Sequence, residues 1–266
     1  MTKNITITKM TYDFIYKQQI LDTTFDLREI SFIEYRNLVK NILSDDIKVV
    51  ENAFELFLEC VLHRKNILTV QQKFLILLKY RELIHGKQIE FFANEAKINY
   101  SIDNIFDFFN KKLPLIDHEQ DGIVFSFGLP TKIVPDNDQI LYIANCIRKI
   151  NGEEIFVNDL SILPALPVNQ IYKKITELYD PLKFKIQYID YDVSLLDISF
   201  LYFLKSIFAY DLQGLYDMEY SLRRNLNFSI NDLQKLSFPE CNVMLRLYNK
   251  DVAEKEKAVS QVDSSE

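Results

Sequence analysis

Glycine is scarce in this sequence, and its scarcity limits the folds that the chain can adopt: only 5 of the 266 residues are glycine. Folds built mainly of β-strands and tight turns need a positive φ at many corners, and glycine adopts that conformation with the least strain. Hydrophobic residues make up 48% of the chain, which is enough for a packed core. We therefore predict an α+β fold that is predominantly α-helical, with short β-hairpins inserted between the helices.

Four predicted helix starts share one pattern, in which Ser or Thr is followed three residues later by Glu, Gln or Asp. The pairs are Ser31–Glu34, Thr69–Gln72, Ser229–Asp232 and Ser237–Glu240. Apolar spacing predicts a helix near residues 44–62 with a buried face that includes Val49, and Gly86 predicts a left-handed end for the helix that begins at Thr69. Further helices are predicted over residues 101–109, 136–150, 167–178, 193–210 and 212–224.

Alternating or turn-flanked segments predict the strands. Residues 87–100 indicate two strands around a turn at Asn94–Glu95, and residues 113–127 indicate a hairpin with Asp121–Gly122 in its loop. Residues 184–191 alternate as a strand does, and Ile155 to Val157 is predicted to be extended. The sequence thus places its strands in short pieces between helices.

The segment from Phe228 to Lys250 contains two helix starts eight residues apart, which predicts two short helices that meet at a sharp corner. Pro239 and Glu240 are expected to fix this corner. We expect the second helix to dock onto the preceding helices through apolar side chains. These are Leu236, Val243, Met244 and Leu247.

Composition divides the chain into four predicted parts. They are an extended N-terminal segment over residues 1–26, a helical part with hairpins over 27–130, a helical part over 131–250, and a disordered acidic tail over 251–266. The boundary near residue 130 is placed at the least helical connection, and the tail has many charges and few large apolar residues.

The charge of the chain disfavours several classes of function. A net charge of −7 with a pI near 5.2 argues against binding the many phosphates of a nucleic acid. No apolar run is long enough to span a membrane, and the first residues lack the pattern of a secretory signal. We therefore expect a cytoplasmic protein that binds neither nucleic acid nor membranes.

A metal site is not indicated by the 3 His and 3 Cys residues, whose spacing matches no metal-binding motif. His63 and His85 have no partner at ligand spacing, and the acidic neighbours of His118 alternate along a predicted strand. Surface or helix-end histidines and reduced, buried thiols are therefore expected, with no metal and no cofactor. The thiols are those of Cys60, Cys146 and Cys241.

Catalytic motifs are also missing, since neither a phosphate-binding glycine loop nor a nucleophile elbow occurs in the sequence. Acid pairs such as Asp45–Asp46 and Glu153–Glu154 are explained by helix starts and loops. Two basic sets, Arg223–Arg224 and the set of Lys73, Lys79 and Arg81, are expected to be solvated or ion-paired rather than to bind an acidic partner. We predict a non-enzymatic protein with no catalytic residue, and a surface that binds proteins.

Three blocks resemble, in the same order, the baseplate hub assembly proteins of T4-like contractile-tailed bacteriophages. The first is LREISFIEYRNLVKNI, the second is LTVQQKFLILLKYRELIHGKQIEFF, and the third is SLRRNLNFSINDLQKLSFPECNVMLRLYN. Together with LPALPVNQIYKKI and SFLYFLKSIF, they span most of residues 27–250. Relatives with paired cysteines in the hairpins suggest a zinc site there, but residues 90–100 and 184–191 of this chain contain no cysteine.

The resemblance implies a role in building the central hub of the tail baseplate in the cytoplasm of the host cell. The expected partners are other hub, tail or tape-measure proteins, bound by an assembly chaperone. Two alternatives stay open, namely a stable hub component in the virion tail and a phage adaptor that binds a host or replication enzyme. The sequence does not fix the oligomeric state.

Overall fold

The fold is α+β and mostly helical, with antiparallel sheets of two to four strands, as predicted. The computed structural model describes residues 15–62, 67–93, 96–132, 138–155, 166–180, 183–186, 192–209 and 212–263. The predictions for residues 1–14, for the turn at Asn94–Glu95 and for Val157 lie outside the described residues.

A β-hairpin and three helices form the first part of the chain. Their bounds are β1 Ile15–Ile20, β2 Thr23–Arg28, α1 Phe32–Ile42, α2 Ile47–Val61 and α3 Val70–His85. The capping boxes predicted at Ser31 and Thr69 both form, with the N3 amide donating to the hydroxyl oxygen over 3.2 Å in each. These bonds fix the first turns of α1 and α3.

Two local details of α2 and α3 differ from the predictions. Val49 is 38% exposed instead of buried, because it lies about 100° around α2 from Val50, at the edge of the buried face. Gly86 has the expected positive φ of 79°, but its ψ of −178° is extended rather than left-handed helical. The chain therefore leaves α3 directly into a strand.

Both predicted hairpins of the central region are present. The first consists of β3 Gln88–Ala93 and β4 Ala96–Ser101, and α4 Ile102–Phe109 follows it with Ser101 as its cap. The second consists of β5 Ile116–Gln120 and β6 Ile123–Phe127. Its turn has φ angles of 51° at Asp121 and 76° at Gly122, which is the pattern of a type I′ turn.

The helix predicted over residues 136–150 is wrong in its second half. The helix α5 Gln139–Cys146 is followed at once by β7 Ile147–Ile150 and β8 Glu153–Glu154, in a sheet with the order β5-β6-β7-β8. Residues 147–150 pair with β6, and this long-range pairing outweighs the local helical pattern. The sheet joins strands from both sides of residue 130, and the division of the chain there stays a prediction.

The later elements are α6 Val168–Tyr179, β9 Phe184–Lys185, β10 Asp192–Val193, α7 Ser199–Phe208 and α8 Leu212–Asn225. The start of α6 after Pro167 and the position of α8 are confirmed. By contrast, α7 begins at Ser199 instead of residue 193, because the Asp197 carboxylate accepts from the Ser199 amide over 2.7 Å. The strand predicted over residues 184–191 is two residues long where it is described.

The closing corner consists of α9 Ile230–Leu233 and α10 Phe238–Asp263. Both predicted capping boxes form, and the Glu240 carboxylate accepts from the Ser237 amide over 2.8 Å. The prediction of a disordered tail from residue 251 is wrong, because α10 continues to Asp263. Ala, Glu and Lys favour helices, and Lys250 lies 3.8 Å from Glu254 on the adjacent turn.

The buried apolar side chains form one contiguous cluster that draws on both halves of the chain. Helix α3 is the most enclosed of the first three helices, as predicted, since every side chain from Phe74 to Leu78 is buried. The ring of Phe74 packs on Phe109, Phe200 and Phe203, with centroids 5.1 to 6.1 Å apart. Helix α8 contributes Leu215 and Leu222 to this cluster, and α10 contributes Phe238 and Cys241.

Candidate functional site

The histidines and cysteines do not form a metal-binding cluster in the part of the chain that the structure describes. The three cysteines are free thiols, with Cys146 and Cys241 buried and Cys60 partly exposed. His118 lies on β5, whereas His63 is outside the described residues. Among the residues that the structure describes, no three His, Cys, Asp or Glu side chains come close enough together to hold a metal ion.

His85 belongs to a packed cluster that joins the end of α3 to α1 and α10. Its Nε2 is hydrogen-bonded to the hydroxyl of Tyr35, and the rings of both residues pack against Phe238 with centroids 5.4 and 4.9 Å away. Burial, together with the smaller effect of the nearby charge of Arg81, lowers the pKa of His85 to about 4. The imidazole is therefore neutral at pH 7 and acts as a packing group.

The basic set of Lys73, Lys79 and Arg81 is used within the fold. Lys73 forms an ion pair with Glu55, and Lys79 forms one with Glu82 over 2.9 Å. Arg81 is buried, and its guanidinium donates to the carbonyl oxygens of Ile207 and Gly86 over 3.2 and 2.6 Å. The predicted ion pairing is confirmed for Lys73 and Lys79, whereas Arg81 is buried and donates to backbone carbonyl oxygens instead.

The other basic pair, Arg223 and Arg224, has a different environment. Both residues lie exposed in the last turn of α8 and line an open groove of about 620 Å³, which we call the arginine–tyrosine groove. The residues that line it are Arg36, Tyr216, Glu219, Tyr220, Arg223, Arg224 and Phe228. Arg36 comes from α1, so the groove is formed where α1 packs against α8.

Glu219 forms the polar floor of the arginine–tyrosine groove. One of its carboxylate oxygens pairs with Arg36, and the other lies 3.7 Å from Arg223. Its side chain is only 12% exposed, so this carboxylate is enclosed by the two guanidinium groups. The single acid of the groove is therefore already neutralised from within.

Two tyrosine rings form the wall of the groove. Tyr216 and Tyr220 are one helical turn apart on α8 and are 40% and 59% exposed. The guanidinium of Arg36 lies 5.4 Å from the centre of the Tyr216 ring, and that of Arg224 lies 5.6 Å from the Tyr220 ring. Such contacts hold each arginine against an aromatic face while leaving donors available.

A second exposed surface lies on α10, where Val243, Met244 and Leu247 are 44%, 39% and 56% exposed. We call these three residues the α10 patch; they lie within an arc of about 100° of the helix. The prediction that they dock onto the preceding helices is wrong, whereas Leu236, which was predicted to dock with them, is partly buried against the core. The helix has two apolar stripes, and the stripe that packs inward is the other one, with Cys241 buried and Leu245 half-buried.

Sequence reasoning missed the arginine–tyrosine groove as a unit. The signal in the sequence was the spacing of Tyr216, Tyr220 and Arg223, which places two aromatic rings and a cation on one face of a helix. Arg36 could not be added from spacing, since it is 183 residues away from Glu219. The groove therefore depends on a tertiary contact.

Comparison of the chain with protein-family models, with curated protein sequences and with solved structures finds no match in any of the three. A search of the described helices finds none that combines the length and the apolar character needed to cross a membrane.

Proposed function

We propose that this protein is a non-enzymatic assembly chaperone that acts in building the central hub of a contractile-tail phage baseplate. In this role it binds another hub or tail protein, or the tape-measure protein, in the cytoplasm of the infected cell. The proposal starts from the resemblance of the three sequence blocks to the family of hub assembly proteins.

The observation that carries a binding role is the α10 patch, which lies inside the closing block of that resemblance. Exposed aliphatic side chains that adjoin on one helix face are typical of sites where a partner protein packs. The helix that presents them is held at its start by Phe238, which is 2% exposed, and by the capping box of Ser237 and Glu240. The patch is therefore displayed on a rigid support.

The size of the α10 patch suits a reversible complex. Burying a Val, Leu or Met side chain completely contributes about 1.5–3 kcal/mol, and these three are roughly half covered already. Closing the patch would therefore contribute ~3 kcal/mol in total. A permanent structural interface requires several times more apolar contact, which favours a transient assembly role.

The process is tested by deleting the gene and by analysing purified virions with mass spectrometry. We expect the deletion to stop baseplate assembly at the hub and the protein to be missing from mature virions. Stoichiometric copies in virions would exclude the transient role and leave a structural one. Complete baseplates without the gene would exclude both the transient and the structural role. An adaptor role would follow if a pull-down with the protein recovered replication enzymes and no tail proteins.

The role of the α10 patch is tested with a Met244→Glu, Leu247→Glu double variant. Its matched control is Leu56→Glu on α2, because Leu56 is 60% exposed and lies outside the patch. Both proteins should fold, since the substituted side chains face solvent, and only the double variant should fail to restore assembly in the deletion strain. If the double variant and the Leu56→Glu variant restored assembly equally well, the α10 patch would have no role in the proposed function.

A further inference from the structure

We propose that the arginine–tyrosine groove binds an acidic peptide segment of the partner protein. In this complex, carboxylates of the segment pair with Arg223 and Arg224, and an apolar or aromatic side chain packs on Tyr216 and Tyr220. The inference rests on the proposed function and deepens it, because it gives the chemistry of the segment that is recognised.

The arginine–tyrosine groove is positively charged, although the whole chain is acidic. The groove is lined by three arginines and one glutamate, so its net charge is 3 − 1 = +2, whereas the whole chain carries −7. Glu219 is shared by Arg36 and Arg223, and no carboxylate pairs with Arg224 among the residues that the structure describes. A cationic site on an acidic protein attracts carboxylates selectively.

The arginines of the groove also have hydrogen-bond donors that a carboxylate can fill. Each guanidinium has five N–H donors. In the described structure, the hydrogen bond and the cation–π contact of the Arg224 guanidinium are both made with Tyr220. A carboxylate accepts two parallel bonds from a guanidinium, which matches the donors that the groove offers.

The shape of the groove suits a peptide. The groove is open along α8 rather than closed, and its wall is formed by tyrosine rings 40% and 59% exposed. Exposed tyrosines next to arginines are typical of protein-binding surfaces, since both residue types are enriched among the residues that carry binding energy. An extended or helical peptide fits such a surface, whereas a small ligand needs a more enclosed cavity.

A peptide fits the groove better than a nucleic acid does. Three arginines neutralise few phosphates, and a protein with a pI of about 5.2 repels a polyanion outside the contact area. An acidic peptide of two or three carboxylates places its charge within the groove alone. The number and spacing of the cations therefore favour a short acidic segment.

The test measures the anisotropy of a fluorescein-labelled peptide of about 12 residues in which Asp and Glu alternate with Leu and Phe. The full chain is compared with an Arg223→Gln, Arg224→Gln double variant and with Arg246→Gln, a matched control for an exposed arginine of α10. A peptide with Asn and Gln at the acidic positions and a single-stranded oligonucleotide serve as further probes. Circular dichroism verifies that every variant is folded.

We expect the acidic peptide to bind the full chain and the Arg246→Gln variant equally, and to bind the double variant at least tenfold more weakly. The neutral peptide should bind at least tenfold more weakly than the acidic one. The inference is overturned if the folded double variant binds as tightly as the full chain, or if Arg246→Gln weakens binding to the same extent. Tighter binding of the oligonucleotide than of the peptide would replace the inference with nucleic-acid recognition.

The peptide assay and the gene deletion test different claims, so a negative result in one does not decide the other. Complete baseplates in the deletion strain would remove the hub assembly role and leave the affinity for acidic peptides intact. A second outcome is that deletion stops assembly but the Arg223→Gln, Arg224→Gln variant restores it fully. The proposed function would then stand, and the groove would have no part in it.

Discussion

Replacing His85 by Gln tests how burial of an ionisable ring couples the stability of this fold to pH. His85 packs against both Tyr35 and Phe238, and burial is the main cause that lowers its pKa from 6.5 to about 4. An unfolded chain takes up a proton at this ring below pH 6.5, whereas the folded protein stays neutral there until about pH 4. The unfolded state therefore binds more protons between these two pH values, and stability must fall as the pH is lowered through this window.

The interval between 6.5 and about 4 corresponds to a loss of about 3 kcal/mol of unfolding free energy, which levels off below the lower value. Gln does not titrate, so the His85→Gln variant should lack this loss. A Tyr35→Phe variant is the matched control, because it removes the hydroxyl that bonds His85 and keeps the aromatic packing. If burial is the main cause of the lowered pKa, Tyr35→Phe should retain most of the pH dependence.

The assay is urea denaturation at intervals from pH 7 to pH 4, followed by far-UV circular dichroism. Protonation of carboxylates affects all three proteins, so it cancels when their unfolding free energies are subtracted. The wild type should lose about 3 kcal/mol more than His85→Gln across the window. Parallel curves for the wild type and His85→Gln would refute the reasoning, since they would mean that the ring titrates alike in both states.

Three further variants test the corner and one turn by thermal and urea denaturation. Phe238→Ala should cost ~3–5 kcal/mol, because Phe238 fills the space between Phe32 and Tyr35; a loss below 1 kcal/mol would show that α10 is not held by this ring. Glu240→Ala should cost ~1 kcal/mol through loss of the capping box, and an unchanged melting temperature would mean that the box does not form in solution. Gly122→Ala should cost ~1 kcal/mol from its φ of 76° alone, since nothing lies within 4 Å of the added methyl group; a neutral effect would contradict the turn geometry.

Local sequence patterns predicted the helix starts and the central hairpin because their causes lie within a few residues. The four capping boxes need only a hydroxyl and a polar side chain three residues apart, and all four form. The turn at Asp121 and Gly122 likewise depends on two residues that tolerate positive φ. Short-range interactions therefore determine these features, and packing against distant residues is not needed to predict them.

The errors occur where distant residues decide the outcome. Residues 147–150 are helical in local pattern, yet they pair with residues of β6 that lie 20 to 25 positions earlier in the chain. On α10, two apolar stripes compete, and only packing against α8 and α1 determines that Leu245 faces inward while Leu247 faces solvent. The arginine–tyrosine groove has the same character, because Arg36 and Glu219 meet only after α1 and α8 pack together.

Helix α10 is anchored at its start by Phe238 and is largely exposed over residues 249–257, so a change of angle at its start is amplified along its length. Its 26 residues measure ~39 Å along the axis, and from residue 249 to residue 257 every side chain except that of Val252 is exposed. A tilt of about 10° at Phe238 would displace the far end by about 7 Å over this length. A small change in the packing of Phe238 would therefore be amplified along the helix.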